Sequence, residues 1–329
     1  MLLVAALTGA ATLHSQAHAL RRYEFDSQHM GTTFRVVLYA PDDTTAARGR
    51  DAAFTTVADL DNRLTDYRDD SELMRACAEA WRHPVALSPD VFDVLARGQE
   101  FAERSDGAFD MTVGALSKLW RHARRQGEWP DARELDDARS VVGFRLMTLD
   151  ASARTLRLAR EGVRLDLGGI AKGFAADRAL QALRESAIRR AMVVAGGDIA
   201  VGDAPPDAPG WRIDIVPFDG VSPPVRSVTL ANAGISTSGD AEQFMELGGV
   251  RYSHVLDPRT GKPLTGRSAV TIIANDATTS DAMAKAVAVL GPDAGIRLAD
   301  ASSGVQALMG FATPGRPVRW VASSHWRVH

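Results

Sequence analysis

The chain has a single cysteine, Cys77, in 329 residues, which excludes an internal disulfide and any cysteine-based metal cluster. It has no charge surplus either: the net charge is -3 and the pI is near 6.3, so it carries no electrostatic footprint for nucleic acid. Internal repeats and low-complexity segments are absent. What is there, 45% hydrophobic and 24% charged residues, is the composition of an ordinary globular protein large enough for two packed layers or two domains.

The first basic residue is Arg21, so residues 1–19 lack the positive start of an export signal. The rest of that pattern is present, with an apolar run from Met1 to Leu13 and Ala17-His18-Ala19 as a small-x-small cleavage site. Residues 1–19 are therefore expected to be a signal peptide, either clipped or with a start further upstream. The mature chain is expected to begin near Leu20 and to be exported and periplasmic. No lipobox cysteine is present, and His14, Ser15, Gln16 and His18 make the segment a poor membrane span.

The pattern is organised around Leu165 to Gly173. Val163, Leu165 and Leu167 alternate as on a strand, leaving Arg164 and Asp166 on the other face. Gly168 and Gly169 then allow a tight turn, and Ala176, Leu180, Leu183 and Ala187 mark the apolar stripe of a following helix. A helix N-terminus with Lys172 beside it suits an anion such as phosphate, although a helix start with a solvent-exposed lysine has the same pattern.

Elsewhere, Phe34, Val36 and Leu38 predict a strand over 33–39, entered through Met30-Gly31-Thr32. Phe54, Val57, Leu60 and Leu64 predict a helix that ends before Tyr67, and Ser71 is placed to cap a short helix. Ser88-Pro89 reads as an N-cap with proline at N1, opening a helix that stops at Asp106-Gly107. Ala108 to Gly114 is a run that lines something, and Arg121 to Arg139 is expected to hold loops and a short helix. Met192 to Ala195 is a buried strand running into Gly196-Gly197-Asp198, and with the preceding turn and helix it forms a compact α/β unit. Trp211 to Val216 and Ser227 to Ala231 are further strands. Ile235 to Asp240 reads as a hydroxyl-rich turn that binds phosphate or caps backbone. His254 is expected at the end of a strand that breaks at Asp257-Pro258. Strands follow at 268–274, 305–311 and 318–323. Between the first two, Ser280 caps a helix that starts at Asp281 and ends at Gly291-Pro292, with Asp281 and Lys285 on one face.

Six ordered motifs then stand together: Met30-Gly31-Thr32; Tyr67 with Asp70-Ser71-Glu72; Asp166-x-Gly168-Gly169-x-x-Lys172-Gly173; Gly196-Gly197-Asp198; Thr237-Ser238-Gly239; and Tyr252-x-His254-x-x-Asp257-Pro258-x-Thr260-Gly261. In this the chain resembles the FAD:protein FMN transferase (ApbE) family, over most of residues 20–329. The resemblance implies an α+β, two-lobed fold with the nucleotide in the cleft between lobes. It also implies splitting of FAD, transfer of FMN by a phosphoester bond to Ser or Thr of an exported or membrane redox flavoprotein, release of AMP, and use of magnesium. Met30, Tyr67, Ala108, Phe109, Asp110, Asp166, Lys172, His254 and Val255 would lie against FAD. His254 would be the general base, acting with Lys172 and Asp281, and the Gly169 carbonyl and Asp281 carboxylate would hold the metal. One departure is clear: the family usually has Thr four residues after the metal-binding Asp, and this chain has Lys285. A protonated lysine ligates no cation, so magnesium is in question here. The alternative is a protein that binds FAD without transfer, with at most FAD pyrophosphatase activity. No acceptor motif for self-flavinylation is present.

Overall fold

The structure, a computed structural model, describes residues 19–216, 226–239, 244–313 and 316–326. The expected signal peptide, save its last residue, and Asp240 of the hydroxyl-rich run lie outside the described residues. In chain order the strands are β1 (Arg21–His29), β2 (Thr32–Ala40), β3 (Val85–Ala86), β4 (Met147–Asp150), β5 (Thr155–Leu158), β6 (Ala191–Ala195), β7 (Asp198–Val201), β8 (Trp211–Ile215), β9 (Arg226–Leu230), β10 (Ala233–Gly239), β11 (Phe244–Leu247), β12 (Val250–Asp257), β13 (Lys262–Thr265), β14 (Arg267–Ala274), β15 (Gln306–Ala312) and β16 (Arg319–Ala322). The helices are α1 (Asp43–Leu64), α2 (Glu72–Glu79), α3 (Pro89–Arg104), α4 (Gly114–Gln126), α5 (Ala132–Ser140), α6 (Ala171–Glu185) and α7 (Ala277–Asp300).

The expected α+β class holds. An antiparallel sheet in the order β1-β2-β6-β7-β10-β14-β15-β16 forms the main lobe. Strand alternation sorts β2 between the two faces: Phe34, Val36 and Leu38 join the main core with α1, α6 and α7, while Val37 packs with Trp211, Ile213 and Val228 of the β8-β9 hairpin. The smaller lobe joins α4 and α5 to the three-stranded sheet β11-β12-β13, with Leu116, Trp120, Ala123, Leu135 and Met245 at its centre.

Several local expectations change in the fold. Residues 163–167 keep their alternating burial but do not join the sheet. They pair with the run after Ala108 instead, through Gly114 N–H to Arg164 O (3.0 Å) and Asp166 N–H to Met111 O (2.8 Å). The compact α/β unit is therefore not formed, since β6 lies between β2 and β7. Periodicity reports which side is buried and is silent about the partner. Ala187 falls beyond α6 with a positive φ of 66° and is exposed. Residues 121–139 are mostly helical, because the buried spacing of Leu116, Trp120 and Ala123 continues through the arginine-rich α4. Ser88 makes no cap bond; its N–H and hydroxyl donate to Glu72 at 2.7 and 2.8 Å. The hydroxyl-rich run is strand β10 rather than a turn. Asp276, not Ser280, caps α7, accepting from Thr279 N–H. Gly291 (φ 75°, ψ -173°) kinks α7 ahead of Pro292, and the helix resumes instead of ending.

The helices that bear on the site are locked together at two points. Gly173 of α6 sits so close to α7 that a Cβ there would lie 2.2 Å from the Ala277 carbonyl oxygen. One turn along, Asp177 accepts from Ala277 N–H (3.0 Å), Thr278 N–H (2.8 Å) and the Thr278 hydroxyl (2.6 Å), satisfying donors that a helix start leaves open.

Burial pushes the Asp177 carboxyl up from 3.8 to about 6. The folded state thus holds this proton more tightly than the unfolded chain does. The contribution to stability is complete below about pH 4 and is lost as pH rises through about 6, by up to about 3 kcal/mol. Asp177→Asn removes that titration. In urea unfolding from pH 4 to pH 7, the stability of the parent should fall relative to Asp177→Asn, and a constant difference across that range would show that the carboxyl is not perturbed.

Candidate functional site

A cavity of about 860 Å³ opens between the lobes. Met30, Tyr67, Ala108, Phe109, Asp110, Asp166, Gly169, Lys172, His254 and Val255 all line it, so residues more than 200 positions apart in the chain meet around one cavity. Asp281 is the exception. It is 0% exposed and stands behind the floor, reaching the cavity only through its partners.

Those partners form a chain of four charges. One Asp281 oxygen, Oδ2, accepts from Gly173 N–H at 3.1 Å and lies 3.9 Å from Lys172 Nζ. The other, Oδ1, accepts from Lys285 Nζ at 3.3 Å. Lys172 Nζ in turn pairs with Asp198 Oδ2 at 2.8 Å. Burial works to raise the Asp281 pKa, but the two lysines and the Gly173 N–H more than reverse it and hold this carboxyl below the usual range. Burial works equally against the Lys172 ammonium, and there the Asp198 and Asp281 charges prevail and hold its pKa above the ordinary lysine value. Asp198, by contrast, is pushed up by burial and by the charge of Asp281. The Lys172 charge is thus anchored and partly matched by the protein's own carboxylates at the cavity floor.

A second charged group stands at the mouth. Asp66 pairs with Arg121 of α4, and the Arg121 guanidinium lies 4.5 Å from the centre of the exposed Tyr67 ring. Burial, then the nearby Asp66 charge, raises the Asp166 carboxyl. Asp166 Oδ1 accepts from Gly168 N–H at 2.8 Å and so fixes the glycine turn. Asp110 is similarly committed, its Oδ1 accepting from the Thr112 N–H and hydroxyl at 2.8 and 2.7 Å. At the β1-β2 turn the Met30 N–H donates to Asp61 of α1 at 2.8 Å.

His254 stands in the middle of β12, not at a strand end. Opposite β13 the pairing shifts between Tyr252 and Leu256, so the histidine sits at a bulge, a distortion that re-aims side chains. Its side of the cleft is held by α4: Trp120 Nε1 donates to Gly261 O at 2.8 Å, and Trp129 bridges Trp120 and Tyr252 with ring centres 4.7 and 5.1 Å away. The hydroxyls of β10 divide their roles. Ser236 is bonded to Ser280 (2.7 Å) and Thr237 to Thr271 (3.0 Å), and both Thr237 and Ser238 line the cavity.

The residues expected to hold magnesium do not suit it. A hard dication takes several oxygen ligands and keeps its own waters. Here the one carboxylate, Asp281, has both oxygens engaged, and Lys285 brings an ammonium where an oxygen ligand is needed. Among the described residues no cluster of three or more His, Cys, Asp or Glu is placed for a metal. Asp198, Asp61, Asp66 and Arg121 are site residues that sequence reasoning did not assign. Of these only Asp198 had a readable signal, as the acid of the Gly196-Gly197-Asp198 motif.

The sequence model of the ApbE family matches residues 30–309. Among curated proteins, an FAD:protein FMN transferase of Treponema pallidum (strain Nichols) is 34% identical over 96% of this chain and 91% of its own length. One of Klebsiella pneumoniae (strain 342) is 30% identical over 91% of each. Among solved structures, the flavin transferase ApbE from Vibrio cholerae superposes with a TM-score of 0.81 at 28% identity, covering 93% of this chain and 98% of that one. The apo flavinyl transferase ApbE of Pseudomonas stutzeri gives 0.82 at 29%, over 93% and 96%.

The charge chain has a measurable consequence. Lys172→Met leaves Asp198 and Asp281 facing each other with one ammonium fewer, and breaking a buried pair from one side costs about 3–5 kcal/mol. Adding Asp198→Asn removes the stranded charge and should recover more than half of that loss in urea unfolding. A single variant as stable as the parent would mean that these pairs do not hold the site together.

Proposed function

The chain belongs to the ApbE family, and from that premise we propose how its cleft works. It is a flavin transferase whose substrates are FAD and an acceptor protein. The observation that supports a defined role for each residue is the convergence of Tyr67, the Gly168-Gly169 turn, Lys172 and His254 on one cavity, backed by the Lys172-Asp198-Asp281-Lys285 charge chain.

In this reading FAD lies along the cavity with its diphosphate over the Gly168-Gly169 turn and the N-terminus of α6, where backbone N–H groups and the Lys172 charge favour an anion. Met30, Tyr67, Ala108, Phe109, Asp110, Asp166 and Val255 form its walls. The acceptor is a Ser or Thr hydroxyl, entering on the side of exposed His254. The hydroxyl proton passes to the imidazole as the hydroxyl oxygen bonds to the FMN phosphorus. The bond from that phosphorus to the bridging oxygen breaks, and AMP departs with the electron pair. The result is a phosphoester between FMN and the acceptor. Cations at the floor stabilise the charge that gathers on the leaving oxygen, a term that dominates phosphoryl transfer. No helix among the described residues is long and apolar enough to cross a membrane. We place the protein in the periplasm, on the signal pattern of residues 1–19, with an exported or membrane redox flavoprotein as acceptor.

Mixing the chain with FAD and a candidate acceptor should yield AMP together with covalently bound, fluorescent flavin on the acceptor. AMP with free FMN alone would mean hydrolysis in place of transfer. His254→Ala should slow transfer by about 10² to 10⁴ while FAD still binds, because a base is needed only when the hydroxyl attacks. Transfer by His254→Ala at the parent rate would remove the histidine from the chemistry.

A further inference from the structure

Lysine is scarce in this chain. Of 38 basic residues only Lys118, Lys172, Lys262 and Lys285 are lysines, and two of the four meet on the same buried carboxylate at the cavity floor. Arginine serves elsewhere as the broad, forked cation, whereas lysine presents a compact point charge. Lys285 is 17% exposed and lines the cavity. Its stem runs across the glycine turn, since a Cβ on Gly169 would lie 3.2 Å from Lys285 Cγ. The side chain thus fills the room between that turn and Asp281, the two features expected to grip a divalent ion.

We infer that the Lys285 ammonium is the built-in counter-charge for the FAD diphosphate, standing in the place of a divalent metal, so that this chain splits FAD without one. The inference deepens the flavin-transfer reading and rests on it. Three observations carry it. Lys172, Asp198, Asp281 and Lys285 are two cations and two anions already paired, and a dication added among them would face two ammonium groups in a setting of low exposure, where like charges repel strongly. An ammonium has three donors, and Lys285 spends one on Asp281 at 3.3 Å while lining the cavity in which the phosphates are placed. Finally, Asp281 is held at fixed geometry by Gly173 N–H, so it orients the lysine instead of ligating a metal. In the transfer step Lys285 donates to the bridging or non-bridging oxygens as the bond between the FMN phosphorus and the bridging oxygen breaks. It changes neither the atoms exchanged nor the destination of the hydroxyl proton.

The test compares the parent with Lys285→Thr and Lys285→Met by two readouts. The first is Mn²⁺ binding by electron paramagnetic resonance, with and without FAD. The parent should bind Mn²⁺ at least about tenfold more weakly than Lys285→Thr, in which the ammonium is gone and a hydroxyl ligand is added. The second is AMP release from FAD in the presence of acceptor. With EDTA the parent should keep its rate within about twofold, Lys285→Thr should fall about 100-fold and recover with Mg²⁺, and Lys285→Met should be slow in either condition. Parent Mn²⁺ affinity equal to that of Lys285→Thr overturns the inference, as does EDTA-sensitive AMP release by the parent or undiminished release by Lys285→Met in EDTA. If no AMP forms with any chain, the flavin-transfer reading fails by that result, and the Mn²⁺ titrations still decide which cation occupies the floor.

Discussion

The close crossing of α6 and α7 at Gly173 is the constraint on which the site depends. With any side chain larger than hydrogen at 173, the Ala277 carbonyl would be struck at 2.2 Å and the helices would have to separate. Only at this separation does the Gly173 N–H reach Asp281 (3.1 Å) and Asp177 reach the first turn of α7. The same contact therefore joins two helices, fills the open donors of one helix start, and seats a fully buried carboxylate beneath the cavity. Local packing and site electrostatics are here one arrangement.

The buried Asp281 in turn governs the lysines. A carboxylate withdrawn from water is costly unless paired, and Lys172 and Lys285 approach it from opposite oxygens. Each ammonium is anchored at one side and presented to the cavity at the other. Such anchoring limits how far the charges must reorganise when an anion arrives, which is the physical meaning of preorganisation in phosphoryl transfer. The opposite wall is built differently. His254 lies on a bulged strand whose support is aromatic and main-chain in kind, through Trp129 and the Trp120 to Gly261 bond. A rigid charged floor thus faces a small sheet that carries the histidine.

Much of this was legible beforehand, for identifiable reasons. Strand β2 and helix α1 followed from the burial period of Phe34, Val36 and Leu38 and of Val57, Leu60 and Leu64. Ser71 capped α2 as its residue type and place required. The ordered glycine, acid and histidine motifs marked the cavity lining, and the nine residues expected against FAD all line it, as does Gly169 of the two expected metal ligands. Helices α4 and α5 were read poorly because their many charges lie on outward faces and mask the inner stripe. Strand β1 left little trace, since as an edge its inward residues are only half-buried and two of the four, Ser27 and His29, are polar. The strand carrying His254 ends at Asp257 as the Asp-Pro break requires, but it begins at Val250 through pairing with β11, which no local window contains, so the histidine stands mid-strand.

From the sequence alone came the family resemblance, the α+β class, the residues of the cleft and the substitution of lysine for threonine at 285. These are properties of residue type, order and spacing, and they survive without coordinates. Apart from the i,i+4 pair of Asp281 and Lys285, tertiary structure alone decided what each charge at the floor faces. Asp198 and Lys172 are 26 positions apart, and Lys172 and Asp281 are 109 apart, yet 2.8 and 3.9 Å separate their charged atoms. Electrostatic energy depends on distance and on exclusion of water, and both are set by how the helices and sheet pack, which is why one dimension of sequence names these groups without pairing them.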